Sequence, residues 1–208
     1  MAFTDKQLEI IQVAEALFAE KGFDGTSIRD ISAKADVNVA MVSYYFGSKE
    51  KLLEALVLHR IADMSLQLEN IVGLEASPKD KILKVTEVYL HKLAANCDMY
   101  KIVQQEMAHG KRQLNSDAFN EVRTANMDLI RKIVEEGQRQ GAFQQNVKVE
   151  LLPNLMVGSF MHLTTNRSYY QQIMQLTDDS FAQYLQVDFV KHIQQTLMGL
   201  LCHPPQNV

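Results

Sequence analysis

Thr26, Ser27, Arg29, Asn38, Ser43, Tyr44, Tyr45 and Lys49 gather hydroxyl, amide and cationic groups into one short stretch of the chain. Such groups can hydrogen-bond or pair with a phosphate or a base edge. The rest of the chain offers little competing chemistry. Its histidines (His59, His91, His109, His162, His192 and His203) never fall three or four apart, and no His-Glu-x-x-His arrangement occurs. Cys97 and Cys202 stand far apart and outside any Cys-x-x-Cys spacing, so neither a disulfide framework nor a zinc site is expected. A phosphate-cradling glycine loop and a Gly-x-Ser-x-Gly elbow are both missing. We therefore expect no metal, no cofactor and no enzyme.

Composition bounds the class. The chain has 208 residues, 47% hydrophobic and 22% charged, as in soluble globular proteins. No apolar run approaches the roughly twenty residues that a membrane span needs, so no membrane partner is expected. Met1 leads directly into a charged amphipathic segment rather than a secretory signal. The cytoplasm is the expected location.

Helical periodicity dominates and strand alternation is absent, which predicts an all-α fold of about nine helices. Thr4 with Gln7 forms a capping box before the first helix, which Gly22 stops. Ser27 with Asp30 caps a short second helix through Ile28, Ile31 and Ala35, and a third covers residues 39 to 46. Ser48 opens a fourth that runs to about Val72 before Gly73. Ser77-Pro78 with Asp80 starts a fifth, since proline at the first helical position loses no hydrogen bond. Breaks near residues 96 to 98 and 110 to 116 divide a sixth from a seventh that ends at Gly141. An eighth begins near Val149, and a ninth follows Thr177-Asp178-Asp179 and ends before His203-Pro204-Pro205. The layout predicts a small domain over residues 1–50 and a larger bundle over 51–208.

The two short helices, joined by Asp36-Val37-Asn38, have the length and spacing of a helix-turn-helix. On the second, Val42 and Phe46 lie four apart and face the core. Ala40, Ser43 and Tyr44 share the opposite face, which is small, apolar and hydroxyl-bearing. In a major groove, small residues allow close approach, methyl groups meet thymine methyls, and hydroxyls reach base edges or phosphates.

The run "AEALFAEKGFDGTSIRDISAKADVNVAMVSYYFGSKEKLLEAL" resembles the TetR-type bacterial transcriptional regulators. The resemblance rests on Gly-Phe-x-Gly-Thr-Ser at 22–27, the aromatic run at 44–46 and Ser-Lys-Glu-x-Leu-Leu at 48–53. It implies a homodimeric, ligand-responsive repressor that binds a palindromic operator on double-stranded DNA. Tyr44, Tyr45 and Lys49 match family positions that contact DNA, Lys49 a phosphate-binding one. Similar regulators use a basic residue at the place of Arg29 on a guanine; an ion pair with Asp30 or Asp36 is the alternative. Thr26 and Ser27 are read as phosphate contacts, as plain helix caps, or as both. Asn38, Val39, Ala40 and Ser43 complete the base-facing set. Ser43 stands where many relatives carry an aromatic, and Asp36 where many carry glycine.

Charge argues the other way. Residues 1 to 55 hold six Lys/Arg and nine Asp/Glu, net −3, so binding by counterion release should be weak. Placing Glu9, Glu15 and Glu20 away from the duplex, and pairing two copies, would compensate.

Beyond residue 55 the resemblance is only one of layout. Leu155, Ser159, Phe181, Leu185, Phe189 and Ile193 lie on the last two predicted helices, where the resemblance implies a dimer interface and internal packing is the alternative. Tyr89, His91, Met99, Tyr100, Val103, Met107, Met127, Met161, His162 and Asn166 are candidate lining for a small, lipophilic effector, each equally readable as core. An all-α small-molecule sensor or scaffold with a degenerate DNA-binding head is the competing reading.

Overall fold

The hydroxyl of Thr4 accepts the Gln7 N–H, and the Gln7 side chain returns to the Thr4 backbone, so helix α1 (Asp5–Lys21) begins where the paired cap requires. It ends at Gly22, whose φ of 73° is open to glycine at no steric cost. The computed structural model describes residues 3–109 and 117–202, and the side chains of all these except 104–109, 118 and 119. Among the described residues the chain is all-α, with eleven helices, one 3-10 turn and no strand. After α1 come α2 (Ile28–Lys34), α3 (Val39–Phe46), α4 (Lys49–Val72), α5 (Pro78–Ala95), α6 (Cys97–His109) and α7 (Asp117–Arg139). The 3-10 turn (Val149–Leu151) precedes α8 (Leu152–Thr165), α9 (Arg167–Met174), α10 (Asp178–Gln186) and α11 (Asp188–Leu201).

Two predicted helices are each divided. The eighth breaks at Asn166, which leaves helical dihedrals (φ −100°, ψ 30°) while its side-chain amide donates to the His162 carbonyl at 2.9 Å. Such a local bond offers the backbone an alternative to continuing the helix. The ninth breaks at Val187 (φ −118°, ψ −69°), beside the Gln186 carbonyl, which meets His91 Nε2 at 3.2 Å. The predicted break at 110 to 116 and the stop at His203-Pro204-Pro205 fall outside the described residues.

The chain forms two compact units: Met1–Asp63 with Asn96–Arg123, and Met64–Ala95 with Thr124–Val208. In the first, Ile10, Ile11, Ala14, Leu17 and Phe18 of α1 pack with Ile31, Val42, Phe46, Leu52 and Leu56. Each of the buried Ile, Leu, Val and Phe side chains contributes about 1.5–3 kcal/mol. Glu15 is nearly buried on α1 and accepts a hydrogen bond from the Arg60 guanidinium of α4, which offsets the cost of burying its charge. Burial, then the neighbouring Arg60 charge, holds the His59 pKa below the usual histidine value, with Glu15 acting weakly in the opposite sense.

In the second unit α5 packs against α8, α10 and α11. Ile82, Val85, Leu90, Met156, Phe160, Phe181, Phe189, Ile193 and Leu197 are buried there. The Phe143 ring lies over Gly137 so closely that a Cβ on Gly137 would stand 2.1 Å from it. Buried Lys81 pairs with Glu136 at 3.0 Å.

Candidate nucleic-acid interface

The turn from Gly22 to Ser27 sets the start of α2, and its hydrogen bonds explain how. Thr26 is buried, and its hydroxyl donates to the Leu17 carbonyl at 3.1 Å and the Gly22 carbonyl at 2.9 Å. This corrects the expectation of a phosphate contact or helix cap from its side chain: the hydroxyl faces inward and ties the turn to the end of α1. Ser27 is the cap. Its Oγ accepts the Asp30 N–H at 3.1 Å, while its own N–H donates to the Asp30 carboxylate at 2.8 Å. The Ser27 hydroxyl and N–H hold the Asp30 carboxyl below its usual pKa. An anion approaching this helix end therefore meets a carboxylate.

Asp30 being engaged with Ser27, no ion pair forms to Arg29 among the described residues, and its guanidinium stays exposed. Asp36 is exposed at φ 50°, in the left-handed region. That dihedral explains why glycine suits the position; aspartate tolerates it better than most residues do.

Asn38 caps α3, its Oδ1 accepting the Met41 N–H at 2.7 Å. From there the helix divides by period: Val42 and Phe46 are buried, whereas Val39, Ala40, Ser43 and Tyr44 are exposed, Tyr44 by 85%. The exposed face carries no charge. Tyr45 is half-buried and leans edge-on between Tyr44 (5.5 Å between centroids) and Phe46 (6.3 Å). Its ring is thus partly a core residue.

Lys49 shows the role that sequence reasoning missed. Its Nζ donates to the carbonyls of Phe23 and Thr26, both at 2.7 Å, and lies 4.3 Å from the Phe23 ring centroid. The ammonium staples the head of α4 to the turn before α2, with one N–H left for an outside acceptor. Among the acidic residues of α1, Glu9 pairs with Lys6 at 2.7 Å, Glu15 is held by Arg60, and Glu20 is exposed.

The structure redistributes the other predicted sets. Phe181, Phe189 and Ile193 are buried in the core of their own unit, so they are not free for a partner; periodicity marks a residue as apolar without saying what covers it. Leu155 is exposed and Ser159 half-buried, while Leu185 borders a groove of about 420 Å³ with His91, Ala94, Ala95, Ala182 and Gln186. Left uncovered nearby in sequence are Leu151 and Leu200, with Gly158 and Gly199, where an added Cβ would meet nothing within 4 Å. Of the predicted effector residues whose side chains are described, His91 alone borders the groove. Met99 is buried in the core of the first unit, with Tyr100 and Val103 packed against it. Tyr89, Met127 and Met161 are half-buried, His162 and Asn166 are exposed, and the Met107 side chain lies outside the described residues. Among the described residues no cluster of His, Cys, Asp and Glu can hold a metal ion, and no helix is long and apolar enough to cross a membrane.

Comparison with known proteins agrees with this geometry. The family described as "Bacterial regulatory proteins, tetR family" matches residues 10–56. "Tetracyclin repressor-like, C-terminal domain" matches residues 78–194, more than half of the chain. The Bacillus subtilis (strain 168) protein named "Probable HTH-type transcriptional regulator YttP" is 34% identical over 147 residues, a stretch covering 64% of each chain. The fold is similar to that of the fatty acid degradation regulator FadR from Bacillus halodurans, with a TM-score of 0.76 at 22% identity, covering 98% of this chain and 100% of that one. It is similar also to FadR from Bacillus subtilis in complex with stearoyl-CoA, with a TM-score of 0.71 at 20% identity over 92% and 97% of the two chains.

Proposed function

The chain belongs to the TetR family of bacterial regulatory proteins, DNA-binding transcriptional regulators rather than enzymes, and from that premise we propose a homodimeric repressor that a small lipophilic effector releases from a palindromic operator. The observation that carries the reading is the outward face of α3. Val39, Ala40, Ser43 and Tyr44 are exposed, uncharged and uncovered by their own unit, with Tyr44 85% exposed. A core helix has no use for such a tyrosine, whereas a major groove accepts a neutral face of this size.

Arg29 supplies the free guanidinium for a guanine, and Tyr45 and the remaining Lys49 N–H supply contacts to the phosphate backbone, whereas Ser27, with its N–H and hydroxyl engaged by Asp30, serves as the helix cap. Residues 1–50 read the DNA in this assignment, and residues 51–208 bind the effector and pair the two copies. The uncovered Leu151, Leu155 and Leu200, with Gly158 and Gly199 allowing close approach, support pairing through α8 and α11. Two-fold pairing also answers the −3 charge of residues 1 to 55, because two half-sites share a load that one acidic head holds poorly.

The stearoyl-CoA held by the similar Bacillus subtilis fold makes long-chain acyl compounds the first effector class to try. The effector must prefer the DNA-incompetent state, and a hundredfold loss of affinity requires about 2.7 kcal/mol of coupling. A cytoplasmic location follows from the operator.

Selection of duplexes from a random pool by the purified protein tests the reading. A palindromic consensus should emerge, and Tyr44→Ala should weaken binding to it by about tenfold or more, as losing a buried aromatic contact would. Undiminished affinity in that variant, or no preference over random duplex, overturns the proposal.

A further inference from the structure

We infer that α3 reads thymine 5-methyl groups, so that each half-site is defined chiefly by A·T pairs whose thymines lie against Val39 and Ala40. The inference rests on the DNA-binding reading above and names the base chemistry of that same face. Guanine is read by the paired donors of arginine or lysine, adenine by the donor and acceptor of asparagine or glutamine, and cytosine by a carboxylate. Among the residues exposed on α3 there is no cation, no carboxylate and no glutamine.

The one amide nearby is already spent in part. Asn38 Oδ1 accepts the Met41 N–H at 2.7 Å, so one of its two lone pairs and the orientation of its amide are set by the cap on α3 rather than by the bidentate geometry that adenine needs. The hydroxyls of Ser43 and Tyr44 donate or accept alike, and discriminate poorly. The thymine methyl is the remaining groove feature, and it is apolar. Val39, 42% exposed at the first position of α3, and Ala40 beside it are the apolar groups placed to meet it. In helix-turn-helix proteins the N-terminal residues of the second helix are the ones that reach base edges. Arg29 on α2 adds no more than a single bidentate guanine contact per head.

The test uses the full chain and the duplex it selects from a random pool. Thymines are replaced one at a time by deoxyuridine, which deletes only the 5-methyl, and affinity is read by fluorescence anisotropy. At one or more thymines of each half-site the loss should be about threefold to fivefold, the value of one buried methyl. Deoxyuridine outside the half-sites should change nothing. Val39→Ala, at an exposed position where folding is not at stake, should shrink the penalty at its own thymine. Selected half-sites without a consensus thymine, or deoxyuridine effects all within about twofold, overturn the inference while leaving DNA binding intact. Failure to select any duplex overturns the DNA-binding reading and this inference with it.

Discussion

Helices α1, α2 and α3 of the first unit and helices α8, α9 and α11 of the second are begun by different means. Thr4, Ser27 and Asn38 start α1, α2 and α3 with a side-chain oxygen on a backbone N–H. α8, α9 and α11 begin at Leu151, Asn166 and Val187 with no side-chain cap. Short helices such as α2 and α3 gain little from propagation, so they depend on caps and on the few residues they bury. Helices α8 and α11 are held instead by what covers them: Phe160, Phe189 and their neighbours. The start of α3 is thereby fixed by a local bond, whereas α8 and α11 rest on mutual packing, the kind of arrangement that a second packing can replace, even though α5 and α10 of the same unit keep their Ser77 and Thr177 caps.

That contrast can be tested by substitution. Phe143→Ala should have the largest effect, about 3–5 kcal/mol of stability, because Phe143 is buried against Gly137. Equilibrium denaturation reads it, and a loss below about 1 kcal/mol would deny that packing builds this unit. Thr26→Val should follow at about 1–3 kcal/mol, since it strips the hydroxyl from the Leu17 and Gly22 carbonyls inside the first unit. A paired comparison then sharpens the contrast. Ser27→Ala should cost about 1 kcal/mol, whereas Asn166→Ala, at an uncapped start, should stay within about 0.5 kcal/mol; equal costs would erase the distinction.

The smallest effect concerns pH. His59 has a folded pKa below the ordinary 6.5, so on acidification the unfolded chain takes up the proton first. Stability of the first unit should fall as pH drops from 6.5 toward the lowered folded value, and be unaffected by this group above that window. His59→Asn should flatten the dependence of the denaturation midpoint on pH. An unchanged slope would show that His59 is not responsible.

What the sequence made legible follows the same division. The Thr4–Gln7 and Ser27–Asp30 boxes are pairs of side chains three apart, visible without a structure, and α1 and α2 start where they indicate. The staple from Lys49 was hidden because its acceptors are main-chain carbonyls, which every residue has. The inward turn of Thr26 was hidden by its neighbour, for either of two adjacent hydroxyls can cap a helix. Near the end of the chain, two helices were read where four exist, since Asn166 and Val187 break the helix through tertiary and local geometry and without Gly or Pro. The candidate effector set scattered for a related reason: methionine and tyrosine suit a pocket and a core equally, and Met99 belongs to the core.

Asp36 bears on how such a regulator can change over time. Aspartate and glycine codons differ by a single nucleotide, so one mutation replaces a charged residue at φ 50° with the residue that takes that dihedral most freely. The same step removes a negative charge from a head that already carries too many. On the DNA-binding reading proposed above, Asp36→Gly is therefore a single mutational step expected to tighten the grip on DNA without rebuilding the fold.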